Sequence, residues 1–342
     1  MKIEDIKKLL RTDSYDFLRT NKYLGSNLLL LCLSGSHSYG TNVETSDVDI
    51  RGVTLEPIDC LLGFDDFEQF EDKETDTVIY SLSKFMSLAY SCNPTIIELL
   101  FLEEEQYLYV SPLGQLLIDN RDMFLSKRAI YTFGGYANAQ LNRLENAMAR
   151  NGEIYSEKEK KEHVTRSLIN VSEAFLAKNK IEGGYIKPYV FEDKDGYYIN
   201  LDIKLSNIRA TVLKSYTDEM SNLFRAYDEK KEGKNKRKDD LHLNKHMMHL
   251  VRLYLEGIEL LTQGSFHTYR ENDKKLLLDI RNGKYRNEDG TLKSEFIVLL
   301  RNLENQFQHA CETTCLPDKP NYEKGKETAL IIYKNRLKED DD

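Results

Sequence analysis

The order of apolar and polar residues divides the chain into two parts with different textures. Up to about residue 125, short apolar runs alternate with turns and short amphipathic segments, which predicts strands mixed with helices. The most apolar run, residues 28–33, predicts a buried strand. Beyond this part, apolar residues recur mainly at helical spacing. The clearest helical stretches are residues 136–149, 157–178 and 244–261.

One interruption breaks the helical part. Two runs rich in β-branched and aromatic residues, within 185–204, flank the turn residues 193–196 and predict a β-hairpin. We therefore expect an α+β protein with a small mixed β-sheet core flanked by helices in residues 1–125. A mainly α-helical C-terminal domain, residues 126–342, follows and carries the inserted hairpin. The charged segment 229–240 is interpreted either as a solvated loop or as a contact to a phosphate backbone.

Composition narrows the class of protein. The 342 residues contain 48 basic and 57 acidic side chains, a net charge of −9, which argues against binding nucleic acid along the whole surface. No apolar run approaches the roughly 20 residues of a membrane span, and acids interrupt the lysines of the N-terminal segment, so we expect neither a membrane anchor nor a secretory signal. Five cysteines, an odd number, favour reduced thiols, and we expect a cytoplasmic protein.

Two aspartates, Asp47 and Asp49, stand two positions apart among apolar residues. A strand beginning near Asp47 would direct both carboxylates to one face, with Val48 and Ile50 towards the core. Neighbouring carboxylates repel each other unless a cation lies between them, and Mg2+ prefers oxygen ligands of this kind. The pattern therefore predicts a Mg2+ site.

The turn Gly35-Ser36, directly after the buried apolar run, offers a second half of the same site. Glycine allows close approach of the backbone, and free amides at a helix start donate hydrogen bonds to phosphate. A serine hydroxyl adds one more donor. Together with the two aspartates, this turn predicts metal-dependent phosphoryl transfer.

The arrangement resembles the DNA polymerase β-like nucleotidyltransferase superfamily: an apolar strand, Gly-Ser, a gap of ten residues between Ser36 and Asp47, and Asp-x-Asp. Three further blocks resemble the RNA-repair-associated branch of that superfamily. They are GSHSYG followed by SDVDIRG, then NPTIIEL, and then a later helix with Lys, His and Arg followed by KKLLLDIRNGKY. The resemblance covers roughly the first 105 residues and about 240–285.

The resemblance implies an enzyme that moves a nucleoside monophosphate from a nucleoside triphosphate to an acceptor hydroxyl and releases pyrophosphate. It also implies two Mg2+ ions, with Mn2+ as an alternative, and a third carboxylate from a neighbouring strand. We assign this third carboxylate to Asp76, before a predicted strand, with Asp72 and Glu74 as alternatives. In this assignment Asp76 binds the catalytic metal and helps to deprotonate the hydroxyl, whereas Asp47 and Asp49 hold both ions.

A larger set of residues is predicted to bind the nucleotide. The set consists of Gly35, Ser36, His37, Tyr39, Arg51, Lys245, His249 and Arg252. Arg51 shares the face of the aspartates and either neutralises phosphate or pairs with a carboxylate. Tyr39 either packs on the base or sugar, or fills the core. His37 is expected to contact the substrate, since the superfamily chemistry does not require a histidine.

The later helix carries a basic stripe. Lys245, His249 and Arg252 are spaced i, i+4 and i+7, and the stripe either binds triphosphate or acceptor backbone, or is a solvated helix face. Glu98 lies among apolar residues, where an unpaired carboxylate is costly. We expect Glu98 to pair with Arg51 or to line the cleft.

The acceptor is the least determined part of the prediction. The resemblance favours an RNA end, with tRNA among the candidates, and the net charge requires that this RNA is bound locally in a cleft. Two alternatives are nucleotidylylation (AMPylation) of a protein or small molecule, and a nucleotide-sensing module without turnover. The 185–204 hairpin is interpreted either as an acceptor clamp or as an addition at the edge of the domain.

Overall fold

A computed structural model describes residues 3–150, 183–193, 196–206, 208–228, 240–288 and 291–339, with single residues and short pieces between 165 and 179. The chain forms two compact units, one of residues 1–142 and 244–342 and the other of residues 143–243. This division differs from the predicted boundary at residue 125. The helices after residue 244 belong to the unit of the N-terminal sheet because their side chains bind its loops, as Arg281 binds Thr41.

A five-stranded mixed sheet forms the centre of the first unit, with the order β3-β4-β2-β1-β5. Its strands are β1 (Leu28–Ser34), β2 (Asp49–Thr54), β3 (Gln69–Asp72), β4 (Thr77–Ser81) and β5 (Tyr107–Val110). β2 and β4 are parallel, and the other neighbouring pairs are antiparallel. The expected α+β fold with a small mixed sheet is confirmed.

β1 is the strand predicted from the apolar run. All seven of its residues are buried, because neighbouring strands flank it on both sides and both of its faces are covered. One cluster of core residues joins β1, β2 and β4 to the N-terminal helices. It consists of Tyr15, Leu18, Leu24, Leu28, Leu31, Ile50 and Ile79. Val48 packs partly buried against this cluster, as predicted.

Helices surround the sheet and continue beyond it. Those up to residue 150 are α1 (Ile3–Leu9), α2 (Phe17–Thr20), α3 (Gly35–Ser38), α4 (Ile58–Leu61), α5 (Leu82–Tyr90), α6 (Pro94–Glu98), α7 (Pro112–Asp119) and α8 (Arg128–Arg150). The later ones are α9 (Ala210–Asp228), α10 (Asp240–Gln263), α11 (Lys274–Arg281), α12 (Ser294–Thr313) and α13 (Tyr322–Glu339). Single 3-10 turns occur at Asp13–Tyr15, Gly25–Asn27, Glu104–Gln106 and Arg121–Phe124.

Two of the three clearest helical stretches, 136–149 and 244–261, lie within α8 and α10 and are confirmed. The stretch 157–178 falls largely outside the described residues, as does the charged segment up to residue 239. Within the described part of the chain, every helix is too short or too polar to cross a membrane.

The predicted hairpin lies in the second unit and is confirmed. β6 (Tyr185–Asp193) pairs antiparallel with β7 (Gly196–Lys204), with Tyr185 opposite Lys204. Ile186 and Val190 of β6 are buried in a small core with Tyr216 and Met220 of α9. One face of the hairpin is therefore packed against a helix of its own unit.

Candidate active site

Three chain segments meet at one edge of the sheet. The antiparallel register of β1 and β2 places Ser34, the last residue of β1, opposite Asp49, the first residue of β2. The parallel register of β2 and β4 places Ile50 opposite Thr77, and the Ile50 amide donates to the Asp76 carbonyl at 3.1 Å. The Gly35 turn, Asp49 and Asp76 are consequently neighbours, although they are far apart in sequence.

Asp49 and Asp76 form a carboxylate pair. Their side chains share a hydrogen bond, and burial together with the charge and hydrogen bond of Asp76 raises the pKa of Asp49 to about 7. The hydrogen bond from Asp49, assisted by Arg51, lowers the pKa of Asp76. A raised pKa on one carboxyl and a lowered pKa on the other are the usual outcome when two carboxylates approach without a cation between them.

The structure corrects the position of Asp47. β2 begins at Asp49, two residues later than predicted, and Asp47 lies in the preceding loop with its side chain exposed. The alternation argument therefore applies to Asp49 and Arg51 but not to Asp47, because a loop residue has no fixed strand face.

Asp76 is held by its backbone and by Arg51. It has a positive φ of 45°, an uncommon conformation for a residue other than glycine, at the turn from β3 into β4. The Arg51 guanidinium donates to the Asp76 carbonyl at 2.6 Å and to the Asp76 Oδ1 at 3.1 Å. Of the two interpretations of Arg51, the structure contains the second one, in which Arg51 pairs with a carboxylate, here that of Asp76. The alternative Asp72 instead accepts hydrogen bonds from the backbone and hydroxyl of Thr75, within the turn.

Gly35 is required by the packing of Asp49. It has a φ of +60°, and a Cβ atom at this position would lie 1.9 Å from the Asp49 Oδ2. Only glycine combines this backbone conformation with so close an approach. Ser36 follows, half-buried, and its carbonyl accepts the Thr41 amide at 3.0 Å. The predicted Gly-Ser turn and the carboxylates are thus brought together.

His37 lies beneath the turn and is only 8% exposed. Its side chain hydrogen bonds to the Ser46 backbone, and its Nε2 has no partner among the residues that the structure describes. Burial, followed by nearby positive charge, lowers the pKa of His37, so the imidazole is neutral at physiological pH.

The predicted stripe on α10 runs from the site into the interior. Lys245 is exposed, and its positive charge lowers the pKa of both Asp49 and Asp76. His249 is half-buried, and burial together with Arg252 and Lys245 lowers its pKa well below the ordinary value. Lys245 is therefore close enough to act electrostatically on the carboxylate pair, whereas the two following members of the stripe are progressively withdrawn from solvent.

Arg252 and Tyr39 belong to a buried cluster, which corrects the expectation that they contact the nucleotide. Arg252 Nη1 lies 2.6 Å from both Glu98 Oε1 and Glu256 Oε2. The Tyr39 hydroxyl donates to Glu98 Oε2 at 2.7 Å, and the Arg252 guanidinium lies 3.7 Å from the Tyr39 ring centre. We call these four residues the interior cluster. Hydrogen bonds and ion pairs join the four side chains, although Arg252 Nε and Glu256 Oε1 have no hydrogen-bond partner among the described residues. Glu98 pairs with Arg252 rather than with Arg51.

Sequence reasoning missed the residues that fasten the loop between α3 and β2. Arg281 of α11 donates to Thr41 and Ser46 of this loop. Gly40, with a φ of +71°, lies against the Tyr269 ring, which a Cβ atom would approach to 2.5 Å. The resemblance block KKLLLDIRNGKY contains Arg281 and was the one available signal.

A family model, described as the RNA repair pathway DNA polymerase beta family, matches residues 10–180, half of the chain. The chain belongs to this family. The matched range includes the Gly35 turn, Asp47, Asp49 and Asp76, whereas α10 and α11 lie beyond it. No curated protein and no solved structure matches the chain. Membership of the family indicates a polymerase β-like nucleotidyltransferase connected with an RNA repair pathway.

The carboxylate pair bears directly on whether a divalent cation fits. Asp49 and Asp76 supply the oxygen ligands that Mg2+ prefers, and two carboxylates this close together favour a cation between them. Among the described residues, no three His, Cys, Asp or Glu side chains already converge as a metal cluster. Two carboxylates are in place, and two further ones, Asp47 and Glu74, each lie two residues before one of them along the chain.

Proposed function

We propose that the protein transfers a nucleoside monophosphate from a nucleoside triphosphate to a hydroxyl at an RNA end, with tRNA among the acceptors, and releases pyrophosphate. The observation that carries this proposal is the carboxylate pair of Asp49 and Asp76 beside the Gly35 turn, on which the positive charge of Lys245 acts. The family description supports both the nucleotidyl transfer and the RNA. The class of acceptor and the role of each residue are part of this proposal.

In this proposal Asp49 and Asp76 hold Mg2+, or alternatively Mn2+, and Asp47 turns from the loop to complete the ligand set. A bound divalent ion would supply charge neutralisation at the phosphates and lower the pKa of the acceptor hydroxyl. Asp49 must be deprotonated to hold the ion, because a carboxylate binds a metal in its deprotonated form.

The remaining chemistry comes from side chains of the chain itself. Arg51 and Asp49 keep the pKa of Asp76 low, so this carboxylate is charged at neutral pH and can accept a hydrogen bond from the attacking hydroxyl. Lys245 is exposed beside the pair and is suited to bind the triphosphate. The backbone amides of the Gly35-Ser36 turn would donate to the same phosphates.

The net charge of −9 restricts how RNA is bound. A protein without a broad basic surface must hold the acceptor through a few local contacts, so we expect modest affinity that falls with added salt. Lys245 is an exposed cation whose charge lowers the pKa of both carboxylates. It would therefore bind the nucleotide in preference to the RNA.

The test supplies each α-labelled ribonucleoside triphosphate with Mg2+ to the full chain, together with separate pools of RNA, protein and small molecules. We expect label on RNA ends and release of pyrophosphate, both lost in Asp49→Asn and kept in Glu44→Gln, which removes an exposed charge from the same loop. Label on protein or small molecules would replace RNA as the acceptor. Mg2+-dependent nucleotide binding without pyrophosphate release from any pool would favour the sensing module.

A further inference from the structure

Arg281 is the last residue of α11, and its guanidinium reaches the loop that leads into β2. Its Nη1 donates to the Thr41 carbonyl at 2.6 Å, and its Nη2 donates to the Ser46 Oγ at 3.2 Å. The side chain is half-buried, and burial lowers its pKa. An arginine fork that binds both ends of one short loop fixes the distance between those ends.

The same loop is held from within. The Val43 amide donates to the Ser46 Oγ at 2.8 Å, and the Ser46 amide donates to the Val43 carbonyl at 3.0 Å. His37, from α3, hydrogen bonds to the Ser46 backbone. Ser46 therefore contacts Arg281, Val43 and His37. The next residue along the chain is Asp47.

The partners of Arg281 differ from those of three other arginines of this unit. Arg51, Arg252 and Arg270 each form ion pairs with carboxylates. In the part of the chain that the structure describes, the hydrogen bonds of Arg281 go to neutral loop oxygens. Its charge is not used to neutralise an acid, so its contribution is the geometry of the loop.

We propose that Arg281 is a positioning residue that fixes the loop 41–46, so that Asp47 is presented to the metal site of Asp49 and Asp76. This inference rests on the proposed function for its metal, and it assigns a role to a helix that lies beyond the range of the family model. It also explains how Asp47 can be held in position without being part of a strand, because the loop is anchored at Ser46, one residue before it.

The first experiment measures amide hydrogen exchange in the full chain. In Arg281→Ala we expect the Val43 and Ser46 amides to exchange on the order of 10-fold faster, because each loses the support of one hydrogen-bonded anchor. The amides of β2 should keep their protection. The matched control is Lys284→Ala, which removes an exposed cation that pairs with Asp279 near the end of the same helix.

The second experiment follows the Mg2+ concentration needed for half of the exchange protection at residues 46–49, and for half of the transfer rate. We expect Arg281→Ala to raise both midpoints by about 10- to 100-fold, the usual effect of removing a group that orients a metal ligand. Arg281→Lys should lie between wild type and Arg281→Ala, because an ammonium reaches one loop oxygen and not both. The KM for the nucleoside triphosphate should change less than kcat.

Unchanged exchange at Val43 and Ser46 would overturn the proposal. An equal rise in exchange across β2 and the loop would also overturn it, since that result would indicate general destabilisation. If Arg281→Ala does not fold, Arg281→Lys, which keeps a contact to one loop oxygen, must show a smaller local rise at the same two amides. If the wild type transfers nucleotide to no acceptor, the proposed function fails. The Mg2+ midpoints read by exchange then still decide on Arg281, and an unshifted midpoint in the variant would reject it.

Discussion

The sheet-edge site and the interior cluster are both built from carboxylates around one arginine, yet burial gives them different properties. In the site, the Asp76 side chain is 52% exposed and the Arg51 side chain 17% exposed, and the pKa of Asp49 is raised. In the interior cluster, the side chains of Arg252, Glu98 and Glu256 are at most 7% exposed. The open site keeps unsatisfied negative charge that a cation can use, whereas the closed cluster satisfies most of its polar groups internally.

The comparison shows that residue type alone does not assign a role. Arg51 and Arg252 both looked suited to bind phosphate. Solvent reaches the carboxylates beside Arg51, whereas Arg252 is enclosed by Tyr39, Glu98 and Glu256. A buried ion pair adds little net stability, because desolvation offsets the attraction, but it fixes which elements meet. Here it joins α6 to α10.

The largest expected effect tests the open site. Asp49→Asn should lower the transfer rate by at least about 1000-fold, because an amide cannot replace a carboxylate as a metal ligand. The free energy of unfolding should be unchanged or higher, since the substitution removes one of two neighbouring carboxylates. Steady-state transfer assays and urea denaturation measure the two quantities. A strongly destabilised variant would show that Asp49 serves the fold rather than the chemistry.

The next prediction contrasts the two arginines. Arg252→Ala should lower the free energy of unfolding by about 3–5 kcal/mol, because Glu98 and Glu256 stay buried without their partner. Arg51→Ala should cost about 1 kcal/mol, since its acidic partner is half exposed. Urea titrations of both variants provide the measurement. Equal losses would remove the distinction between an open and a closed cluster.

A pair of glycines tests the approach of Asp49 to the turn. Gly35 and Gly63 both have positive φ, at 60° and 78°, but only Gly35 has Asp49 where a Cβ atom would lie. Gly35→Ala should lower the transfer rate by about 100-fold by displacing this carboxylate, with Gly63→Ala near wild type. Both variants should lose similar stability from backbone strain, on the order of 1 kcal/mol. Transfer assays at saturating Mg2+ decide between them.

The smallest effect concerns pH and the interior cluster. Burial raises the pKa of Glu256 from 4.5 to about 8, against the opposing charge of Arg252. The folded state holds this proton more tightly than the unfolded state. Protonated Glu256 therefore contributes to the free energy of unfolding at low pH, and this contribution declines as pH rises from about 5 to 8. Relative to Glu256→Gln, which carries no titrating proton at this position, the free energy of unfolding of wild type should decline across this range. Urea denaturation at several pH values measures it, and a constant difference would contradict the shift.

Several features followed from the sequence because they depend on local spacing. The apolar run predicted β1, helical periodicity predicted parts of α8 and α10, and turn residues predicted the hairpin of β6 and β7. The motif order also pointed to the family that the comparison confirmed. The one local error, the start of β2, moved Asp47 from the strand into the loop.

The partners of each charged side chain could not be read in the same way. Asp49 meets Asp76 through the parallel register of β2 and β4, and Arg252 meets Glu98 across 154 residues of chain. Spacing on a helix placed Lys245, His249 and Arg252 on one face, but it did not indicate how deeply each position would be buried.

The sequence by itself therefore determined the elements and the chemical character of the site, because hydrophobic periodicity, turn residues and paired aspartates act over a few residues. Only the tertiary structure decided which carboxylates stand together, which arginine is open to a ligand, and which helix holds the loop before Asp47. Arg281 and Thr41 are 240 residues apart. Contacts of that kind depend on strand register and helix packing, which fix positions in space that no local pattern encodes.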